Sequence, residues 1–376
     1  MSLSEALPEP AANPDLFGHD HAVQALEHAL ASSRLHHGWL FFGRRGIGKA
    51  TLAYRFARSL LAGPSVTEPG LTLALENPIF RQVEGRHHPD LMVIEAERDP
   101  KTGKVKPAIT VDRVRDATAN LYKTPALAKR RVLIVDGAEQ LNRNAANALL
   151  KPLEEPPSGA VLILISHRPG QVAATLRSRC AKLALRGLDD AHLQDLLSRH
   201  APDLSDASRA AIVALAEGSL GRALDLAASD WLSTYEKVVR TIAADPPGAL
   251  DLEDLAAALA KQSTKDGFLR TLDLLQTVFG RVVAQATGRL DTPLFSDELE
   301  AVKRLAARHQ PLDCLASLWE KIGRLSAAVD GLNLDHTQAL AQILTAMAAT
   351  PKKALPFQRK ASSLDSDLLG ERHAIG

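Results

Sequence analysis

Gly43, Gly48 and Lys49 in G-R-R-G-I-G-K-A have the spacing G-x-x-x-x-G-K of a phosphate-gripping loop. In such a loop successive backbone N–H groups, here those of Arg44, Arg45, Gly46, Ile47, Gly48 and Lys49, form an anion nest, and the lysine reaches the outer phosphates. The hydroxyl that should follow and bind Mg²⁺ is missing, because Ala50 stands in its place. Thr51 does not replace it, since one residue along a helix turns a side chain by roughly 100°. The chemistry expected is ATP or ADP held without being cut, with Mg²⁺ bound weakly or not at all. Asp136 follows the apolar run Arg131–Val135, where a nucleotidase holds Mg²⁺ or its water from a strand tip. The residue after it, a glutamate in many hydrolysing proteins of this class, is Gly137, and Glu139 is expected to point elsewhere. A strand-capping Asp136 that touches no metal is the competing reading.

The elements around these residues alternate. Helical patterns run over Ala22–Ser32, Thr51–Leu61, Val111–Leu121 and Asn144–Glu154, and strands over Trp39–Phe42, Leu91–Glu95, Arg131–Val135 and Val161–Ile165. This order predicts an α/β domain with a mostly parallel sheet covered by helices on both faces, and it places the loop between a strand and a helix. Surface loops are expected from Ala62 to Pro78 and from Asp99 to Pro107, where Pro, Gly, Thr, Ser and charge dominate. After Leu185 short helices are expected over Leu188–His200, Ser205–Ala216 and Gly221–Ala228, and alanine- and leucine-rich helices from Trp231 to Ala349, broken at Pro246, Pro247, Pro293 and Pro311. The expected domains are 1–185, 186–229 and 230–350, with a mobile tail over 351–376.

The chain has 376 residues, enough for two or three cores, and Lys plus Arg number 45 against 44 for Asp plus Glu. A net charge of +1 advertises no global field for nucleic acid, so any DNA contact must be local; Lys129-Arg130-Arg131 is a basic cluster, and whether it touches DNA does not follow from the sequence. Cys180 and Cys314 form no C-x-x-C, which argues against a disulfide framework or a cysteine zinc site. His87 and His88 diverge on an extended chain and lack an evident third metal ligand; His36 and His37 read as surface or packing residues. Met1–Pro14 has acid and proline where a signal would have base and apolar residues, and no run of eighteen apolar residues occurs. A cytoplasmic protein that meets no membrane is expected.

N-A-L-L-K-P-L-E-E-P-P at Asn147–Pro157, L-I-L-I-S-H-R-P-G-Q at Leu162–Gln171 and S-R-C at Ser178–Cys180 closely resemble the clamp-loader branch of the AAA+ ATPases, from about Pro14 to Ala228. Within it the sequence is most similar to the delta-prime family of the bacterial DNA polymerase III clamp loader. The resemblance implies a AAA+ P-loop domain, a small helical lid and an all-helical C-terminal collar. It further implies a subunit of the polymerase holoenzyme, a nucleotidyltransferase complex, with no ATPase of its own. Arg179, otherwise an ordinary solvated charge, would be a finger on ATP bound to the neighbouring subunit. Ser166 and Arg222 would face the nucleotide, although G-S-L-G-R at Gly218–Arg222 has its arginine one place later than the family's sensor segment. The implied partners are tau/gamma and delta, and, through the complex, the sliding clamp and primer-template DNA. Some family members carry a four-cysteine zinc module; the corresponding Ala62–Asp90 has no cysteine, so no zinc is expected. Trp319 with Asn333-Leu334-Asp335 resembles the collar, and ordinary helical core fits equally. An active ATPase of the tau/gamma type and a small-molecule P-loop kinase are the rival readings; the kinase leaves S-R-C without a purpose.

Overall fold

The apolar runs become strands because both their faces are covered. In the computed structural model Val132 and Ile134 pack on one side of the sheet with Phe41, Phe56 and Leu26, and Leu133 and Val135 on the other with Leu40, Val114 and Leu149. Successive side chains of a strand point to opposite faces, so each residue of such a run is buried. The structure describes residues 8–32, 35–63, 68–96, 108–261, 265–290, 292–309, 319–320 and 336–349. The expected loop Asp99–Pro107, Pro311, Cys314, Asn333–Asp335 and the tail 351–376 lie outside them.

The chain divides into two compact units, Met1–Ala228 and Ser229–Gly376. In the first, a parallel sheet of five strands runs β2-β3-β4-β1-β5, formed by β1 (Gly38–Phe42), β2 (Leu91–Ile94), β3 (Arg131–Asp136), β4 (Ala160–Ser166) and β5 (Ala181–Ala184). Its helices are α1 (Asp20–Ala31), α2 (Lys49–Ala62), α3 (Pro78–Glu84), α4 (Val111–Leu121), α5 (Arg143–Ala148), α6 (Leu150–Glu154) and α7 (Ala174–Arg177), then α8 (Asp190–His200), α9 (Asp206–Ala216) and α10 (Leu220–Ala227). Phe42 pairs with Ser166 and Asp136 with Ile165, so the ends of β1, β3 and β4 lie side by side at one edge of the sheet.

Three expectations need correction. The helix Asn144–Glu154 is broken at Leu149, because Pro152 has no N–H for the carbonyl of Ala148 and its ring crowds that carbonyl. The stretch Ala62–Pro78 is not all surface: in its described part a 3₁₀ turn at Pro69–Leu71 buries Leu71, whose carbonyl accepts from Ser59 Oγ at 3.0 Å. α3 was unforeseen although Asn77 caps it, its side chain accepting from Ile79 N at 2.9 Å, with Pro78 in the first turn.

The second unit is helical where described: α11 (Trp231–Ala243), α12 (Ala249–Lys261), α13 (Lys265–Ala286), α14 (Glu298–Arg308) and α15 (His336–Ala348). Tyr235, Val238, Val239 and Ile242 form the buried stripe of α11 at helical spacing. Glu298 is wholly buried and accepts from Tyr235 Oη at 2.5 Å, Arg281 Nε at 2.5 Å and Leu294 N at 2.5 Å. The Arg308 guanidinium donates to the carbonyls of Ile242 at 3.0 Å and Ala244 at 2.6 Å, a cation on the C-terminal carbonyls of α11. Trp319 is 44% exposed and its ring lies 6.0 Å from that of Phe279.

Candidate functional site

Between β1 and α2 the chain makes the loop that the glycines predict. Gly46 and Gly48 have φ of 76° and 99°, conformations in which a Cβ is strained, and a Cβ on Gly46 would also lie 2.5 Å from Ser219 Oγ. The N-terminus of α10 rests directly on this loop. Gly221 N donates to Gly46 O at 3.1 Å, Ser219 Oγ donates to Arg45 O at 2.9 Å, and Arg44 pairs with Glu217. A Cβ at position 221 would lie 3.2 Å from Gly46 Cα, so any side chain there would press on the phosphate loop. From below, the buried His19 meets the carbonyl of Ile47 through Nε2 at 2.5 Å; burial lowers its pKa.

The loop opens on a cavity of about 620 Å³, a size that suits a nucleotide. Gly46, Ile47, Gly48, Lys49, Ala50, Thr51 and Asp136 line it on one side, with Leu188, His200, Leu220 and Gly221 from the small helices. Another wall comes from the N-terminal strap, through Asn13, Asp15, Leu16 and Phe17. The strap is fastened by α2: Arg58 donates to Ala11 O at 3.3 Å and Asn13 O at 3.0 Å, and Arg55 to Pro14 O at 3.3 Å. Gly43, Arg44, Arg45 and Arg222 do not line the cavity; Gly43 and Arg44 serve the site through their carbonyls, which accept from Lys49 Nζ, at 2.8 Å for Gly43. Ser166 is fully buried and turned aside, its Oγ accepting from Arg168 N at 3.1 Å, while His167 lines the cavity in its stead.

The charges are frustrated in the way of a binding site. Burial lowers the Lys49 ammonium to about 8, opposed by Asp136 and Glu139, and burial pushes Asp136 up to about 6, with Glu95 and Glu139 adding to the rise and Lys49 opposing it. His167 is held neutral, down to about 4, by burial and then by Lys49. Glu139 does not point elsewhere: its Oε1 accepts from His167 N at 3.1 Å, and its Oε2 is buried without a hydrogen-bond partner, as is His167 Nδ1. Gly137 has φ of 84°, so the missing glutamate could not be restored without backbone strain. Backbone amides and a buried lysine fit a polyphosphate, whereas the Glu139 carboxylate, which offers no donor, does not. Among the described residues no three His, Cys, Asp or Glu side chains gather to hold a metal. His88 Nδ1 accepts from Asp90 N at 3.1 Å, and no described helix is long and apolar enough to cross a membrane.

A raised carboxylate at this site costs stability. The native chain binds the Asp136 proton more readily than the unfolded chain does, so the cost is present above pH 6 and is relieved as pH falls from about 6 towards 4. Asp136→Asn is expected to raise the unfolding free energy of the ligand-free chain by ~1–2 kcal/mol near pH 7.5 and by nothing near pH 4. Urea titrations at both pH values check this; a variant less stable than wild type near pH 7.5 would show that Asp136 is structural.

Arg179 stands at the other edge of the sheet. It comes just before β5, whose Ala181 pairs with Trp39 near the start of β1, whereas the phosphate loop follows the end of β1. Its guanidinium pairs with Glu154 Oε1 at 2.7 Å and donates to Thr175 O at 3.0 Å.

A parallel sheet in the order β2-β3-β4-β1-β5, with a phosphate loop after β1 and an aspartate at the tip of β3, defines a P-loop protein of the AAA+ class. Residues 18–189 match the family model described as DNA polymerase III, delta subunit, and the relatives that the chain resembles are subunits of the same polymerase. It is 37% identical to the DNA polymerase III subunit delta' of Pseudomonas aeruginosa over 198 residues, 52% of this chain and 57% of that protein. With the subunit tau/gamma of Haemophilus influenzae it shares 29% over 246 residues, 64% of this chain and 34% of that protein. The delta' of Bacillus subtilis is 25% identical over 289 residues, 76% of this chain and 83% of that protein. The chain thus spans well under two thirds of the length of the first two relatives.

Proposed function

We propose that the chain is a delta-prime type clamp-loader subunit, a stator that binds ATP or ADP without hydrolysing it and lends Arg179 to the ATP of a neighbouring subunit. The observation that carries the reading is the separation of the two ends of β1. Its five residues put roughly 13 Å between first and last Cα, so Arg179 and the chain's own phosphate loop lie beyond opposite ends. A finger so placed serves another subunit's nucleotide. Ala50 and Gly137 support the passive half of the proposal, since the metal oxygen and the water-polarising carboxylate are both lacking. Residues 186–229 act as the lid and 230–350 as the collar, with tau/gamma and delta as neighbours in a cytoplasmic complex that acts on the sliding clamp and primer-template DNA.

The test is ATP turnover by the purified chain. None is expected, and neither Ala50→Thr nor Ala50→Thr with Gly137→Glu should create it, because the second change strains a left-handed backbone without placing a water. Wild-type turnover on the order of 1 s⁻¹, ordinary for nucleotide enzymes, would favour an active ATPase of the tau/gamma type instead.

A further inference from the structure

Arg179 does not wave in solvent. Besides the ion pair with Glu154, its Nη1 donates to Thr175 O at 3.0 Å and Ser178 Oγ at 3.2 Å. A guanidinium has five N–H donors, so donors remain for an incoming oxygen. Resting on the reading of Arg179 as a finger, we propose that Glu154 is its positioning residue, the carboxylate that holds the guanidinium at the rim where a neighbour's phosphate will meet it.

The backbone makes this pairing a built feature. Glu154 is the last residue of α6, and the carbonyl just before it, that of Leu153, meets His37 Nε2 at 2.8 Å. Gly38, at the start of β1, leaves the space in which α6 and the S-R-C segment converge. A Cβ there would lie 2.6 Å from Leu153 Cδ2, 3.3 Å from Arg179 O and 3.5 Å from Cys180 Sγ. Both partners of the ion pair are therefore anchored, through neighbouring residues, to one point of the sheet. Pro156 and Pro157 stop the helix just beyond Glu155, so the carboxylate cannot slide along a longer helix.

An arginine that must freeze its torsions on meeting a phosphate loses part of what the contact gains, and a carboxylate that already holds it removes that loss. The carboxylate also repels the phosphate. Both side chains are more than a third exposed, at 37% and 48%, so water and salt weaken the repulsion, and by the same token the pair's benefit is modest.

The experiment is single-turnover ATP hydrolysis at the abutting site in the reconstituted complex, its other sites disabled, with wild type, Glu154→Ala, Glu154→Gln, Glu154→Asp, Arg179→Ala and the Glu154→Ala/Arg179→Ala double variant. Glu154→Ala and the isosteric Glu154→Gln are expected to lower the rate about two- to fivefold with the neighbour's ATP affinity unchanged. Glu154→Asp should recover part of the rate, and the double variant should be no slower than Arg179→Ala alone. If the Glu154 variants keep or exceed the wild-type rate while Arg179→Ala loses it, Glu154 is no positioning residue and the finger stands. If Glu154→Ala slows the Arg179→Ala background further, the carboxylate acts by another route and the proposal falls. If Arg179→Ala itself keeps the rate, the finger reading falls first.

Discussion

Replacing Arg179 with alanine is expected to leave the subunit folded and assembled but to slow ATP hydrolysis at the site it abuts by about 10³-fold or more. The transferred phosphoryl group spreads negative charge over its outer oxygens, and a guanidinium from the adjoining subunit neutralises it where water is excluded. The residue's place favours loss of function without loss of fold. It is partly exposed and holds its own chain through one ion pair and two hydrogen bonds, none of them in the core. Arg179→Lys should recover little, because an ammonium lacks the planar fork. Arg177, two residues earlier at the end of α7, is the internal control whose loss should matter less.

The largest stability effect is expected at Glu298. Removing this carboxylate strands the Arg281 guanidinium, 13% exposed, and the buried Tyr235 hydroxyl, whose pKa burial has already raised. Leaving one half of a buried ion pair unpaired costs about 3–5 kcal/mol. Glu298→Ala should lower the exchange protection of amides in α11, α13 and α14 by an amount of that order, while amides of the parallel sheet keep theirs. Tyr235→Phe removes one hydrogen bond from a carboxylate that keeps Arg281, and should cost only ~1 kcal/mol. Equal effects of the two substitutions would mean that the hydroxyl, not the ion pair, organises the unit.

The sequence was most legible where one physical requirement acted alone. β1, β3 and β4 are buried on both faces and show as continuous apolar runs, and the phosphate loop shows because its glycines are needed for conformation. β5 escaped because A-K-L-A at the edge of the sheet buries only Leu183 on its inner face. The break between α5 and α6 is marked in the sequence only by Pro152, inside a run whose helical periodicity continues on either side. In the site, Glu139 and His167 were hidden because their meeting depends on how the turn after β3 lies against the end of β4. The strap Asn13–Phe17 carries no motif at all; it becomes a wall only because Arg55 and Arg58, charges on an otherwise ordinary amphipathic helix, reach back for its carbonyls. Gly221 gave a signal in its departure from the family's arginine, and it lies in tight contact with Gly46 of the phosphate loop.

The central claim is that this subunit acts on a neighbour's nucleotide and not through its own. The direct measurement compares Lys49→Ala and Arg179→Ala side by side in the reconstituted complex, by single-turnover hydrolysis at the one active site the subunit abuts. Lys49→Ala removes the ammonium that faces the chain's own cavity, and the rate should stay close to wild type; Arg179→Ala should lose about 10³-fold. A rate abolished by Lys49→Ala and spared by Arg179→Ala would contradict the account and make this chain a motor in its own right.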